Sequence, residues 1–84
     1  MIRLRPAGAP KLGATMRALL AFLQLHEGSV NRPADTLARS IGVTELRFWP
    51  ALASLAEMGL VTTRKSDVGL RIRLTSAGFR AATH

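Results

Sequence analysis

The sequence has no cysteine. That absence excludes a disulfide scaffold and any thiolate metal site. Histidine occurs twice, as His26 and His84, so no metal ion or other cofactor is expected. Acidic residues are also scarce, five Asp and Glu against twelve Lys and Arg. They are scattered, with no nearby cysteine and no glycine-rich loop to cradle a phosphate. No serine stands with a histidine in a recognisable catalytic frame. The chain is therefore not expected to be an enzyme. No apolar run approaches the ~20 residues that span a bilayer. The opening MIRLRPAGAPK lacks the apolar stretch of a secretory signal. The expectation is a soluble, cytoplasmic protein with no membrane partner.

What is present is a core and a charge. At 84 residues and 48% hydrophobic content, the chain is one domain able to bury a core without cross-links. Its net charge is +7. On so small a domain this balance favours a polyanionic partner, nucleic acid foremost.

The stretch Thr44–Met58 organises the rest. Phe48, Ala51, Leu52, Leu55 and Met58 recur at three and four, the spacing of one helical stripe. Thr44 is a good N-cap, and Gly59 suits the left-handed residue that ends a helix. A shorter helical pattern over about Pro33–Ile41 precedes it, with Leu37, Ala38 and Ile41 facing inward. Pro33 suits its first turn. Gly42-Val43-Thr44 joins the two. Helix, tight glycine turn and capped helix is the helix-turn-helix pattern.

Residues 1–11 carry two prolines and three cations and are expected to form a flexible basic N-terminal arm; 12–84 form the domain. A first helix is expected over about Gly13–Glu27, with Gly28 at its C-cap and His26 partly buried at the end of its apolar stripe. Its Ala-rich flanks suit cover on a second side, as in a homodimer. Val30 is placed to pair with a later hairpin. That hairpin has a β-branched strand over Leu60–Lys65, a turn at Ser66–Gly69, and Leu70–Thr75, which alternates strictly. Leu70, Ile72 and Leu74 take one side and Arg71 and Arg73 the other. Ser76–Thr83 is a short last helix, with Phe79 as its anchor. The fold class is mainly α with a small antiparallel hairpin, that is, α+β.

This order resembles the winged-helix family, a subset of helix-turn-helix DNA-binding proteins. Leu37-Ala38 with Ile41-Gly42-Val43-Thr44 is similar to the family's turn. Leu52, Leu55 and Glu57-Met58-Gly59-Leu60-Val61 are similar to the close of its third helix. Leu74-Thr75-Ser76-Ala77-Gly78 resembles the segment after the wing in small bacterial and phage regulators. The resemblance covers about residues 12–80. It implies a three-helix core with a wing and a short C-terminal helix, and a transcriptional regulator bound to double-stranded DNA and nucleoid-associated when bound. It implies that helix 44–58 enters the major groove while the basic 60–75 wing lies on phosphates. Carried over, the contacts are Thr44, Glu45, Arg47 and Trp49 on the helix, and Arg64, Lys65, Arg71 and Arg73 on the wing. Arg32 and Arg39 lie where the family meets backbone phosphates and are expected to stay solvated. Arg47 suits bidentate readout of guanine.

The helix face departs from the family's usual small polar residues at Leu46, Trp49 and Pro50. These three are the candidate interface for a protein partner, the alternative to DNA. For Trp49 three roles stand open: core beneath the arm, centre of an interface, or a contact to DNA. Pro50 removes a helix hydrogen bond and crowds the preceding turn, at ~3 kcal/mol if uncompensated. A kink or a differently wound first turn is expected there, with the regular helix restarting near Trp49.

Overall fold

The computed structural model describes residues 12–83. Their elements run α1 (Ala14–Leu25), β1 (Ser29–Arg32), α2 (Ala34–Ser40), α3 (Glu45–Glu57), β2 (Val61–Ser66), β3 (Gly69–Leu74) and α4 (Ser76–Thr83). The arm expected over residues 1–11 lies outside the described residues. No described helix is long and apolar enough to cross a membrane.

The helix-turn-helix forms as its residues dictate. Gly42 takes φ 77° between α2 and α3, a conformation glycine adopts without a Cβ penalty. The Thr44 hydroxyl accepts a hydrogen bond from the Arg47 amide at 3.3 Å, capping a first-turn donor of α3. Gly59 ends α3 at φ 73°. Phe48, Ala51, Leu52 and Leu55 are buried along one side of α3. Phe48, Leu52 and Leu55 meet Leu19, Leu20 and Leu23 of α1, Leu37 of α2 and Ile72 of β3 in one core. Such non-directional burial is the main stabilising contribution in a domain without cross-links.

The sheet has three antiparallel strands in the order β1-β3-β2. Val30 pairs with Ile72, so the expected short strand joins the hairpin as its third member. Leu70, Ile72 and Leu74 are buried and Arg71 and Arg73 exposed, the alternation of a sheet with one face on the core. Asp67 and Val68 make the turn, with Ser66 opposite Gly69. A Cβ on Gly69 would lie 2.6 Å from the Pro33 Cα. The hairpin therefore rests directly on the chain that enters α2.

Several local expectations are corrected. α1 ends at Leu25 with His26 as its C-cap. Glu27 at φ 61° and Gly28 at φ 87° then reverse the chain, and the Gly28 amide donates to the Leu23 carbonyl at 2.7 Å. His26 is exposed, stacked at a tilt on Phe22 with ring centroids 4.4 Å apart. Pro33 is the N-cap of α2 rather than its first residue. α3 is a continuous α-helix through Pro50, with no restart near Trp49. Pro50 and Leu46 are both exposed, so water can solvate the Leu46 carbonyl that Pro50 leaves without its usual donor. Phe79 does not anchor α4 in the core, being 41% exposed with its ring over Gly28. Gly78 takes that part instead. It is buried and lies against the Leu60 carbonyl, where no side chain would fit. Thr75 completes the joint: its hydroxyl donates to the Gly59 carbonyl at 2.6 Å and accepts from the Gly78 amide at 3.0 Å.

Candidate nucleic-acid interface

The buried stripe of α3 fixes what its other side presents. Leu46, Pro50, Ala53 and Glu57 are exposed and follow one another at four, three and four, so they form a ridge opposite the core. Arg47 lies on the α1 flank of that ridge. With Leu46, Pro50 and Ser54 it borders a shallow cavity of about 460 Å³ against Gly13–Met16. Trp49 lies on the other flank, toward the hairpin. Thr44 and Glu45 are exposed at the N-terminal end.

Trp49 is 47% exposed and Leu46 is 87% exposed. The indole stands edge-on to Phe48, centroids 5.6 Å apart. Its free part lines a groove of about 470 Å³ whose other walls are Pro33 and Ala34 of the α2 entrance and Thr63, Lys65 and Leu70 of the hairpin. Trp49 is thus neither enclosed core nor isolated on the surface.

The cations of the hairpin do not share one side. The register places Thr62 opposite Arg73, Arg64 opposite Arg71, and Lys65 opposite Leu70. Period-two alternation then sends Arg71 and Arg73 away from the helices, while Lys65 shares the inner face with Leu70. Ser29 and Asn31 of β1 pair with Arg73 and Arg71 and join the outer face. Arg64, on an edge strand, borders both the inner groove and an outer cavity of about 270 Å³ lined with Thr62, Arg71 and Arg73. The structure therefore brings Lys65 and Arg64 to the groove beside Trp49, and leaves Arg71 and Arg73 on the opposite side of the sheet from Arg47. Ser29 and Asn31 become legible as neighbours of those arginines only once β1 is paired in register, and Thr62 only once β2 is.

Of the two arginines expected to stay solvated, Arg39 does and Arg32 does not. Arg32 is partly buried, its guanidinium 5.8 Å from the centroid of the Phe22 ring, a cation–π distance. Arg39 is exposed and paired with Asp35 at 3.3 Å, one turn apart on α2. That is the one ion pair among the described residues. The remaining interface cations, Arg47, Arg64, Lys65, Arg71 and Arg73, have no acidic partner there. Among the described residues no three His, Cys, Asp or Glu side chains converge as a metal site would require.

No family model matches the sequence, and comparison with curated proteins finds no match. Solved structures do match. The adhesin competence repressor AdcR of Streptococcus pyogenes superposes with a TM-score of 0.72 at 20% identity, over 87% of this chain and 54% of its own. ZitR of Lactococcus lactis, described as a zinc-responsive MarR family member, gives 0.70 at 20% identity, over 99% and 58%. A mutant form of ZitR gives 0.71 at 17% identity, over 99% and 55%. This chain therefore spans about half the length of the structures it matches. Its own fold is the winged helix: three helices, a wing hairpin paired with a short strand, and a fourth helix.

Proposed function

We propose that this chain is a DNA-binding regulator of transcription that lays α3 in the major groove of a duplex. The observation that carries the reading is the position of α3. It is capped at its N-terminus by Thr44, buried on one side only, and flanked by Arg47 and by a groove bearing Lys65 and Arg64. An α-helix fits the major groove, and unpaired cations on both flanks meet the two phosphate strands that border it. On this reading Thr44 and Glu45 lead the helix into the groove, Arg47 reads a guanine edge, and Trp49 meets a thymine methyl or a sugar. Arg39, held by Asp35, and Arg32, stacked on Phe22, belong to the periphery of this contact.

The test is fluorescence anisotropy with a random-sequence duplex. Arg47→Ala with Lys65→Ala is expected to weaken binding about tenfold or more, and to reduce the slope of log K against log salt by about one for each phosphate no longer neutralised. Unchanged affinity and slope would remove the α3 side from the mechanism.

A second reading is favoured by one observation, the apolar ridge Leu46–Pro50–Ala53 with Trp49 beside it. Exposed tryptophan is enriched at binding hot spots. On this reading α3 holds a protein partner, and a Trp49→Ala variant that folds normally loses its partner while duplex affinity is unchanged. A homodimer is compatible with either reading. Ala21 and Leu25 are exposed four residues apart on α1 and offer a second copy an apolar contact.

A further inference from the structure

The outer face of the sheet is a separate charged surface. No helix packs on it; Ser29, Asn31, Thr62, Arg64, Arg71 and Arg73 are all exposed there. None of these strand residues is acidic, and none of the three arginine side chains has a hydrogen-bond or ion-pair partner among the described residues. Arg64 and Arg71 stand directly opposite each other, an arrangement that repels within the fold. Together with Arg73 and Thr62 they border the outer cavity of about 270 Å³.

We infer that this face binds the phosphate backbone of a second duplex, so that one chain can hold two DNA segments at once. The inference rests on the DNA-binding reading of α3 and adds a second contact to it. Two features select this partner. Guanidinium forks match phosphate oxygens bidentately, and Ser29, Asn31 and Thr62 add neutral donors of the kind that contact DNA backbone. The face bears no aromatic residue, so it offers no stacking platform for single strands. It bears no large apolar residue, so it offers nothing to anchor in a lipid interface. The duplex seated on α3 meets this face only at its edge, at Arg64, which borders both cavities; Arg71 and Arg73 lie behind the sheet. Arg73 is also set back from the hairpin turn, five residues beyond Val68, about 16 Å along the strand.

Sedimentation at duplex excess and low salt tests this, using a labelled random duplex of about one helical turn, ~12 base pairs. The wild-type chain is expected to carry two duplexes per chain, and Arg71→Gln/Arg73→Gln one. Arg71→Lys/Arg73→Lys keeps the charge and is expected to retain the second. Both positions are exposed, and circular dichroism melts report whether each variant is folded. A stoichiometry of one for the wild type, or of two for the folded Gln variant, overturns the inference and leaves the α3 reading standing. Absence of any duplex binding overturns both.

Discussion

Pro50 occupies the sixth position of a thirteen-residue helix, where its ring crowds the preceding turn and its nitrogen donates nothing. The helix persists because Phe48, Ala51, Leu52 and Leu55 are buried around it, and tertiary packing outweighs local propensity. The cost remains in the folded state. Pro50→Ala should therefore raise stability by up to about 3 kcal/mol, read as a rise in the thermal midpoint. A fall would show that packing of the proline ring outweighs the hydrogen bond it removes. Thr44→Ala should act the other way, lowering stability by about 1 kcal/mol as the cap disappears. Gly78→Ala is also destabilising, by about 1–3 kcal/mol, because its new methyl meets the Leu60 carbonyl. A denaturant midpoint unchanged from wild type would mean that α4 can shift freely.

At the scale of elements, the hairpin divides its own charge. Arg64 faces Arg71 across the strands, and removing one of a like-charged pair relieves repulsion. Arg71→Gln is expected to stabilise the isolated chain by about 0.2–1 kcal/mol at low salt, with the gain fading as salt screens the pair. A melt that responds equally at all salt concentrations would contradict this.

Much of this level was legible in residue order. The three-and-four spacing from Phe48 to Met58, the threonine and glycine that bound it, and the alternation of Leu70–Leu74 each encode a single local geometry. Boundaries fell within two residues, the widest difference being at α1, which ends at Leu25 rather than at the expected Glu27. What was not legible depends on packing between elements. Alternation shows that Arg71 and Lys65 lie on opposite faces only when the register across Asp67-Val68 is known. The stacking of Arg32 on Phe22 needs β1 beside α1. The exposure of His26 follows from a reversal begun at Glu27, a residue that seldom adopts positive φ. Phe79 carries the largest apolar side chain of α4, yet the tight joint at Gly78 lets the backbone approach and leaves the ring over Gly28.

For the molecule as a whole, a single core carries the stability and the surface carries the charge. Domains of this kind are stable by only about 5–15 kcal/mol. Phe48 is fully buried at the centre of that core, and Phe48→Ala is expected to cost about 3–5 kcal/mol. Among the described residues the cations are spread over separate sides of the fold, with Arg47 beside α1, Lys65 in the groove beside Trp49, and Arg71 and Arg73 behind the sheet.

The most direct test of the functional account is a map of backbone amide shifts during titration with a duplex. The account predicts that the strongest changes cluster at residues 44–49 and at Thr63–Lys65, grow with duplex concentration and vanish at high salt. Changes confined to α4 and the C-terminal half of α1, with the amides of α3 unmoved, would contradict it.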